Sequence, residues 1–145
     1  MTILVRDPTA ADLTQAAVIL SDWIDATDWM PRIHSRAEDA AFVRGLPSTH
    51  TVRVAWQGEV AGFLARSGGT VDALYVARDW RGKGIGTALL SEAKAVEERL
   101  TLWTFQANAA AIGFYRNAGF LTAEQTDGQR NEERLPDMRM IWSKS

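Results

Sequence analysis

A short glycine-rich segment carries the most distinctive chemistry in this sequence. It reads Arg81-Gly82-Lys83-Gly84-Ile85-Gly86 and stands between an apolar strand pattern and an amphipathic helix pattern. The first N–H groups of a helix have no intrahelical acceptor, and the helix dipole favours negative charge there. Glycines let the backbone approach a phosphate closely, and Arg81 and Lys83 add positive charge. The segment therefore predicts a pyrophosphate cradle, a kind of site that several ligand classes use.

Two common nucleotide motifs do not fit this segment. A P-loop requires Ser or Thr after Gly-Lys, whereas Gly82-Lys83 is followed by Gly84. A dinucleotide fingerprint requires a third glycine where this chain has Thr87 or Leu89. It also requires an acidic residue at the end of the next strand, where residues 104–106 are Thr-Phe-Gln. A strand-to-helix turn without any ligand remains the alternative to a cradle.

Length and composition limit the class of protein. The 145 residues suit one domain, 1–145, and the chain is 46% hydrophobic and 23% charged. This composition is typical of soluble globular proteins and excludes disordered and fibrous ones. Because the chain has no cysteine, disulfides, thiolate nucleophiles and cysteine metal sites are excluded. The absence of cysteine also fits a reducing cytoplasm.

The charge balance gives no support for binding to nucleic acid or to a membrane. Sixteen Lys and Arg residues against 18 Asp and Glu residues give a formal net charge of −2. No apolar run approaches the ~20 residues that span a bilayer, and the N-terminus does not resemble a signal peptide. We therefore expect a cytoplasmic protein. His34 and His50 have no paired ligand spacing, so we also expect no metal.

Two helices are predicted before the first long strand. Thr9 with Asp12, and Ser35 with Glu38, resemble capping boxes, in which side chains satisfy the free N–H groups of a helix start. An apolar stripe at helical spacing follows the first of these pairs. A short apolar run precedes Thr9 and predicts an initial strand.

The strand that leads into the glycine loop belongs to a predicted meander. From Thr51 the apolar residues alternate, and three strands follow with short turns between them. These connections are too short for crossovers, so the three strands should be antiparallel. Gly62 is a candidate bulge. Asp72 and Leu74 on the third strand are two residues apart, so alternation predicts that both face one side.

The second half of the chain alternates between helix and strand patterns. A helix follows the glycine loop, a strand runs to Gln106, and Asn108 can cap a helix that Gly119 ends. Two further strands flank a charged loop from Asp127 to Pro136. The predicted order is β-α-α-β-β-β-α-β-α-β-β, without a repeat or linker. The pattern therefore predicts an α+β fold.

Two segments together resemble a known family. Leu74-x-Val76 followed by Arg81-x-x-Gly84-x-Gly86 resembles motif A of the GCN5-related N-acetyltransferases, the GNAT family. The segment Asn108 to Phe120, Asn-Ala-Ala-Ala-Ile-Gly-Phe-Tyr-Arg-Asn-Ala-Gly-Phe, resembles motif B. The two motifs cover residues 71–120 in the usual order and separation. The resemblance implies a layered α/β/α fold with a mixed, mostly antiparallel sheet whose strands 4 and 5 splay apart.

The resemblance also implies an acyltransferase that uses acetyl-CoA. The glycine loop would hold the CoA pyrophosphate, and the pantetheine arm would lie between the splayed strands and pair with the backbone of Leu74–Val76. The residues implied in CoA binding are Leu74, Tyr75, Val76, Arg81, Gly82, Lys83, Gly84, Ile85, Gly86, Thr87, Asn108, Phe114 and Tyr115. Asn108 and Tyr115 have structural alternatives, as a helix cap and as a core residue.

The implied reaction needs an oxyanion donor, an acid and a base. In the family a backbone N–H stabilises the oxyanion, and the resemblance places this N–H at about Leu74. The motif B tyrosine, which is Tyr115 in this chain, protonates the leaving thiolate. A lysine-like amine with a pKa of about 10.4 is about one-thousandth neutral near neutral pH, so a base is useful. Asp72 is one candidate base and Glu133 another, and either carboxylate could instead be merely solvated.

The acceptor side is less defined in the sequence. Trp29 and His34 lie between the first two helices, where the family shapes its acceptor pocket, while Glu132 and Glu133 could contact a cationic amine. Each of these residues could serve only packing or solvation. Without a cysteine, acetyl transfer to the amine of a small molecule, peptide or protein would be direct. A silent CoA-binding sensor and an empty scaffold remain alternatives, and a homodimer is a further expectation from the family.

Overall fold

The computed structural model describes residues 2–145, which form a seven-stranded sheet flanked by four α-helices. Short 3-10 turns follow α2 and β4. The helices are α1 (Ala10–Ala26), α2 (Arg36–Gly45), α3 (Ile85–Val96) and α4 (Ala109–Asn117). The strands are β1 (Leu4–Arg6), β2 (Thr51–Trp56), β3 (Val60–Ser67), β4 (Thr70–Val76), β5 (Arg99–Phe105), β6 (Leu121–Thr126) and β7 (Asp137–Ser143).

The sheet is mixed and its centre is split. The strand order is β1-β2-β3-β4-β5-β7-β6, and the neighbouring strands pair antiparallel except for β4 and β5, which are parallel. These two strands pair only where Thr70 faces Thr101 and Val71 faces Leu102. Beyond Val71 they diverge. The predicted element order, the mixed sheet and the splayed strands 4 and 5 are therefore confirmed.

An extra residue in β4 coincides with the point of divergence. Across the β3–β4 pair, Arg66 faces Val71 and Ala65 faces Ala73, so Asp72 has no cross-strand partner. Such a bulge bends the strand and resets the alternation of side chains. Val71 and Leu74 accordingly pack in one core cluster although an odd number of positions separates them. The alternation from which we predicted a shared face for Asp72 and Leu74 is thus broken at Asp72.

Gly62 does not form the bulge expected of it. In the β2–β3 pair Gly62 faces Ala55 and Val60 faces Trp56, so the unpaired residue is Ala61. The absence of a side chain at Gly62 has a packing reason instead. A Cβ there would lie 2.8 Å from the carbonyl oxygen of Tyr75, which is closer than van der Waals contact allows.

Helices cover both faces of the sheet, which confirms the layered α/β/α class. One core cluster places α3 residues such as Leu89 with Phe120 against the sheet, and a second places α1 and α2 against the other face. The clusters are separate because adjacent strand residues, such as Phe63 and Leu64, point to opposite faces. In the described chain, no helix is long and apolar enough to cross a membrane.

Three of the four helices begin with a side-chain cap. Thr9 and Ser35 form the two predicted capping boxes, and the Asn108 side chain accepts a hydrogen bond from the backbone N–H of Ala111 at 3.2 Å. Helix α3 has no such cap, because Gly84 precedes it in the left-handed conformation, with φ +86°. Its N-terminal N–H groups therefore remain available to a ligand.

Candidate active site

A cleft of about 510 Å³ opens where β4 and β5 separate. Its walls come from β4, β5, the glycine loop, the first turn of α3 and one side of α4. The lining contains most of the predicted site, namely Asp72, Leu74, Tyr75, Val76, Arg81, Gly82, Gly84, Ile85, Gly86, Thr87, Asn108, Phe114 and Tyr115. It also contains aromatic residues that sequence analysis did not assign to the site, Trp23, Trp80, Trp103 and Phe105.

The glycine loop forms one end of the cleft, and it has unpaired backbone N–H groups there. The first helical hydrogen bond of α3 runs from the N–H of Ala88 to the carbonyl of Gly84. The N–H groups of residues 82–87 have no acceptor among the described residues. Gly82 and Gly84 both have positive φ, +73° and +86°, a conformation that side chains disfavour. Together these donors and the α3 dipole make an anion site.

The two cationic side chains of this loop differ in position. Arg81 lines the cleft, and its Nε donates to the carbonyl oxygen of Val76 at 3.3 Å, which holds the guanidinium beside the end of β4. Lys83 lies outside the lining, with Nζ 5.3 Å from the ring centre of Trp80. Gly86 has a packing role, because a Cβ there would lie 2.9 Å from the Phe114 ring of α4.

The split in the sheet leaves backbone groups of β4 unpaired on the cleft side. The N–H of Ala77 donates to Ala61 at the end of β3, so Ala77 faces β3. Because successive residues of a strand point their N–H and carbonyl groups to opposite sides, Leu74 and Val76 point theirs towards the cleft. The N–H of Leu74 is therefore a free donor in the cleft wall.

Tyr115 presents its hydroxyl to the cleft while its ring is buried. The residue is 8% exposed, and its ring packs edge-on to Phe114 and against Phe120. Among the described residues, the buried side-chain polar atom that lacks a hydrogen-bond partner is Arg6 Nε. The Tyr115 hydroxyl also lacks a hydrogen-bond partner but is not among these enclosed atoms, so its oxygen keeps some accessible surface, and the residue lines the cleft.

The chain has two tyrosines, and both line the cleft. Burial, together with the negative charge of Glu133 and Asp39, raises the pKa of Tyr75 to about 12. Burial also raises the pKa of Tyr115 well above its ordinary value, with a further contribution from Tyr75. Both phenols therefore remain protonated at neutral pH, as a proton donor must.

Asp72 lies at the closed end of the cleft, next to the last β4–β5 pair. Its Oδ2 lies 2.7 Å from His50 Nε2, and its side chain is 47% exposed. Sequence analysis did not connect His50 with the site. The two residues are 22 positions apart, and their contact depends on how the start of β2 meets the bulge of β4.

A chain of aromatic rings crosses the mouth of the split. Trp23 of α1 lies 5.4 Å, between ring centres, from Tyr75 of β4, and 5.9 Å from Trp29. Trp29 in turn lies 5.8 Å from Phe105 of β5. These rings join the two splayed strands through the end of α1. Trp29, a predicted acceptor residue, thus packs beside the cleft without lining it.

The other predicted acceptor residues meet on two loops. His34, between α1 and α2, contacts Glu132, between β6 and β7, through Nε2 and Oε1. This contact raises the pKa of His34, with a smaller contribution from Glu38. Glu133 lines a second cleft, of about 480 Å³, that shares Trp103, Thr104 and Phe105 with the first.

Comparison with known proteins agrees with this geometry. The model of the acetyltransferase (GNAT) domain family matches residues 48–121. The peptidyl-lysine N-acetyltransferase YjaB of Escherichia coli is 31% identical over 122 residues, which are 83% of this chain and 83% of that protein. YjaB of Salmonella typhimurium is 32% identical over 91 residues, and the match spans 63% of each chain, just under two thirds.

Solved structures show the same architecture. The solution structure of apo YjaB from Escherichia coli superposes with a TM-score of 0.81, 25% identity and full coverage of both chains. A GNAT superfamily phosphinothricin acetyltransferase from Sinorhizobium meliloti, solved in complex with acetyl-CoA, has a TM-score of 0.75 at 25% identity and covers 99% of this chain and 89% of that one. The family match includes the splayed strands and the whole of α3 and α4. The chain therefore belongs to the GNAT family of N-acetyltransferases.

Proposed function

We propose that this protein transfers the acetyl group of acetyl-CoA directly to the ε-amine of a lysine side chain in a peptide or protein. The observation that carries the proposal is the uncapped start of α3 at one end of a cleft whose wall also presents the Tyr115 hydroxyl. An anion site and a proton donor therefore share one cavity. That cavity also exposes free backbone donors of a split sheet.

The residues at the start of α3 fit the pyrophosphate of acetyl-CoA. The N–H groups of residues 82–87 supply donors, and Arg81 supplies positive charge beside them. The left-handed glycines at 82 and 84 allow close approach of the backbone, since neither has a Cβ to stand between these donors and a phosphate. Acetyl-CoA, when bound, supplies an activated thioester for acyl transfer.

The cleft wall contains a group that can stabilise or neutralise each charge that forms during the reaction. The Leu74 N–H can donate to the carbonyl oxygen as negative charge forms there, which preorganised backbone donors stabilise. The Tyr115 hydroxyl can protonate the thiolate that leaves. A thiol pKa of about 8.5 and a phenol pKa of about 10 make this proton transfer mildly uphill before the raised pKa of Tyr115 is considered. The Asn108 side chain, which caps α4 and lines the cleft, can support the pantetheine arm.

Asp72 is the better placed of the two candidate bases. It lines the cleft that holds Tyr115, whereas Glu133 lines the second cleft beyond β5. We assign proton removal from the amine to Asp72 and contact with the incoming ammonium to Glu133. A carboxylate near a lysine ammonium also steers it electrostatically, in keeping with the net charge of −2.

The second cleft suits a lysine side chain. Trp103 is 47% exposed and lines both clefts, so its ring can pack against the aliphatic stem of a lysine that extends towards Tyr115. Glu133 lies in the same lining. The relatives from Escherichia coli and Salmonella typhimurium are named peptidyl-lysine N-acetyltransferases, which agrees with this acceptor.

The test is an acetyl-transfer assay with three acceptors, scored by release of the CoA thiol. They are a lysine peptide blocked at its N-terminus, the same peptide with arginine for lysine, and a free N-terminal peptide without lysine. We expect turnover with the first alone. Turnover with the third alone would contradict the lysine assignment, and tight acetyl-CoA binding without turnover of any amine would identify a CoA-binding sensor instead of an enzyme. A Trp103→Ala variant should raise KM for the lysine peptide.

A further inference from the structure

A histidine outside the cleft holds the carboxylate that lies at its closed end. His50 Nε2 lies 2.7 Å from Asp72 Oδ2. The His50 side chain is 17% exposed and does not line the cleft, whereas Asp72 does. The imidazole therefore contacts the carboxylate from outside the cleft lining.

The contacts of His50 show that Nε2 holds a proton. An ionised carboxylate only accepts hydrogen bonds, so Nε2 donates to Asp72. At the other ring nitrogen, Nδ1, the Thr49 hydroxyl lies 2.7 Å away. The backbone N–H of His50 donates to the carbonyl of Leu46 at 2.8 Å. Both ring nitrogens and the backbone are thus engaged, which fixes the orientation of the imidazole.

The place of Asp72 in the sheet explains why such an anchor matters. Asp72 is the bulged residue of β4 and has no cross-strand partner in β3. The next residue, Ala73, lies beyond the last pair with β5. The strand therefore does little to orient the Asp72 side chain, and the hydrogen bond to His50 supplies the orientation. It engages Oδ2 and leaves Oδ1 for other partners.

We infer that His50 is a positioning residue for Asp72 in the acetyl-transfer reaction, an inference that rests on the proposed function. The ammonium N–H bond of the acceptor breaks and an O–H bond forms at Asp72 Oδ1, which gives a neutral amine and a neutral carboxylic acid. His50 keeps its proton on Nε2 throughout and stabilises the carboxylate before the transfer. It does not itself touch the substrate.

The experiment compares His50→Phe, which keeps a ring but removes the donor, with His50→Gln, whose amide can donate from about the place of Nε2. We expect His50→Phe to lower kcat about tenfold with unchanged affinity for acetyl-CoA, and His50→Gln to recover most of that loss. In an Asp72→Asn background, His50→Phe should have no further effect. If His50 had only a structural role, both substitutions would lower kcat to the same extent, and the effect of His50→Phe would add to that of Asp72→Asn.

A second readout does not depend on turnover. Nitrogen-15 NMR of the wild-type imidazole should show a proton on Nε2 of His50, and an Nε2 without a proton would overturn the inference. Wild-type kcat in His50→Phe, or additive effects in the double variant, would overturn it while leaving the proposed function intact. Absence of acetyl transfer by the wild-type protein would contradict the proposed function itself and this inference with it.

Discussion

The imidazole of His34 contacts the carboxylate of Glu132, although 98 positions separate the two residues in the chain. The contact joins the loop between α1 and α2 to the loop between β6 and β7. Both loops were expected to shape the acceptor site. Their direct contact means that the two segments can respond together to pH.

We predict that His34 titrates above the ordinary histidine value of about 6.5, because the Glu132 carboxylate raises its pKa. A raised pKa in the folded state means that the contact stabilises the loops fully below about 6.5 and that this stabilisation is lost as pH rises through the elevated value. Proton NMR can follow both histidines of the chain. Glu132→Gln should lower the pH midpoint of the His34 titration, and His50 serves as the internal control. An unchanged His34 midpoint would show that the contact is absent in solution.

The two tyrosines offer a second titration test. Because Tyr75 has a pKa of about 12 and that of Tyr115 is also raised, the native protein should show almost no tyrosinate absorbance at pH 10. The unfolded protein should be about half ionised there. The free energy of unfolding should therefore fall as pH rises from about 10 through the raised pKa values of the two tyrosines. Titration of the native protein with a midpoint near 10 would contradict the burial of both phenols.

The Tyr115 hydroxyl is expected to matter for turnover and not for binding. Tyr115→Phe keeps the ring packed against Phe114 and Phe120 while removing the proton donor. We predict that kcat falls by about 10²-fold with acetyl-CoA affinity near wild type. Steady-state kinetics and calorimetry on the same preparation would separate the two effects. Full activity in this variant would restrict Tyr115 to a packing role.

The loop that bears Glu132 and Glu133 depends on one glycine. Gly128 has φ +83°, and a Cβ there would lie 2.0 Å from the carbonyl oxygen of Leu135. Gly128→Ala should therefore lower the free energy of unfolding by about 1–3 kcal/mol. The matched control is Gly113→Ala in α4, where nothing lies within 4 Å of the added Cβ and a gain of up to about 1 kcal/mol is expected. Urea denaturation of both variants tests the prediction, and equal effects would contradict it.

Local patterns were enough to predict much of the fold. The capping boxes at Thr9 and Ser35, the cap at Asn108 and the helix stop at Gly119, with φ +95°, are short-range features, and the structure confirms them. The glycine loop was also recognisable, since its chemistry lies in consecutive residues. The resemblance to the GNAT motifs added the splayed strands, which periodicity alone does not predict.

Features that depend on tertiary register were not predictable from the residues alone. The bulge at Asp72 leaves no compositional signal, so simple alternation could not predict the register of β4 on either side of it. The contact of Asp72 with His50 and the ring chain through Trp23 and Trp29 arise from packing between distant segments. Pairing each histidine of the sequence with each carboxylate would have included Asp72 with His50 among many candidate pairs, but it would not have distinguished this pair from the others.

The most direct test of the account is calorimetric titration of the wild-type protein and of Gly84→Asp with acetyl-CoA, NADH and ATP. Gly84→Asp puts a carboxylate and a strained residue where the backbone would meet a phosphate, and Gly68→Asp, also at a positive-φ glycine with open space around it, is the matched control. We predict micromolar binding of acetyl-CoA alone, retained in the control and abolished in Gly84→Asp. Absence of acetyl-CoA binding by the wild-type protein, or equal affinity in Gly84→Asp, would contradict the assignment of the cleft.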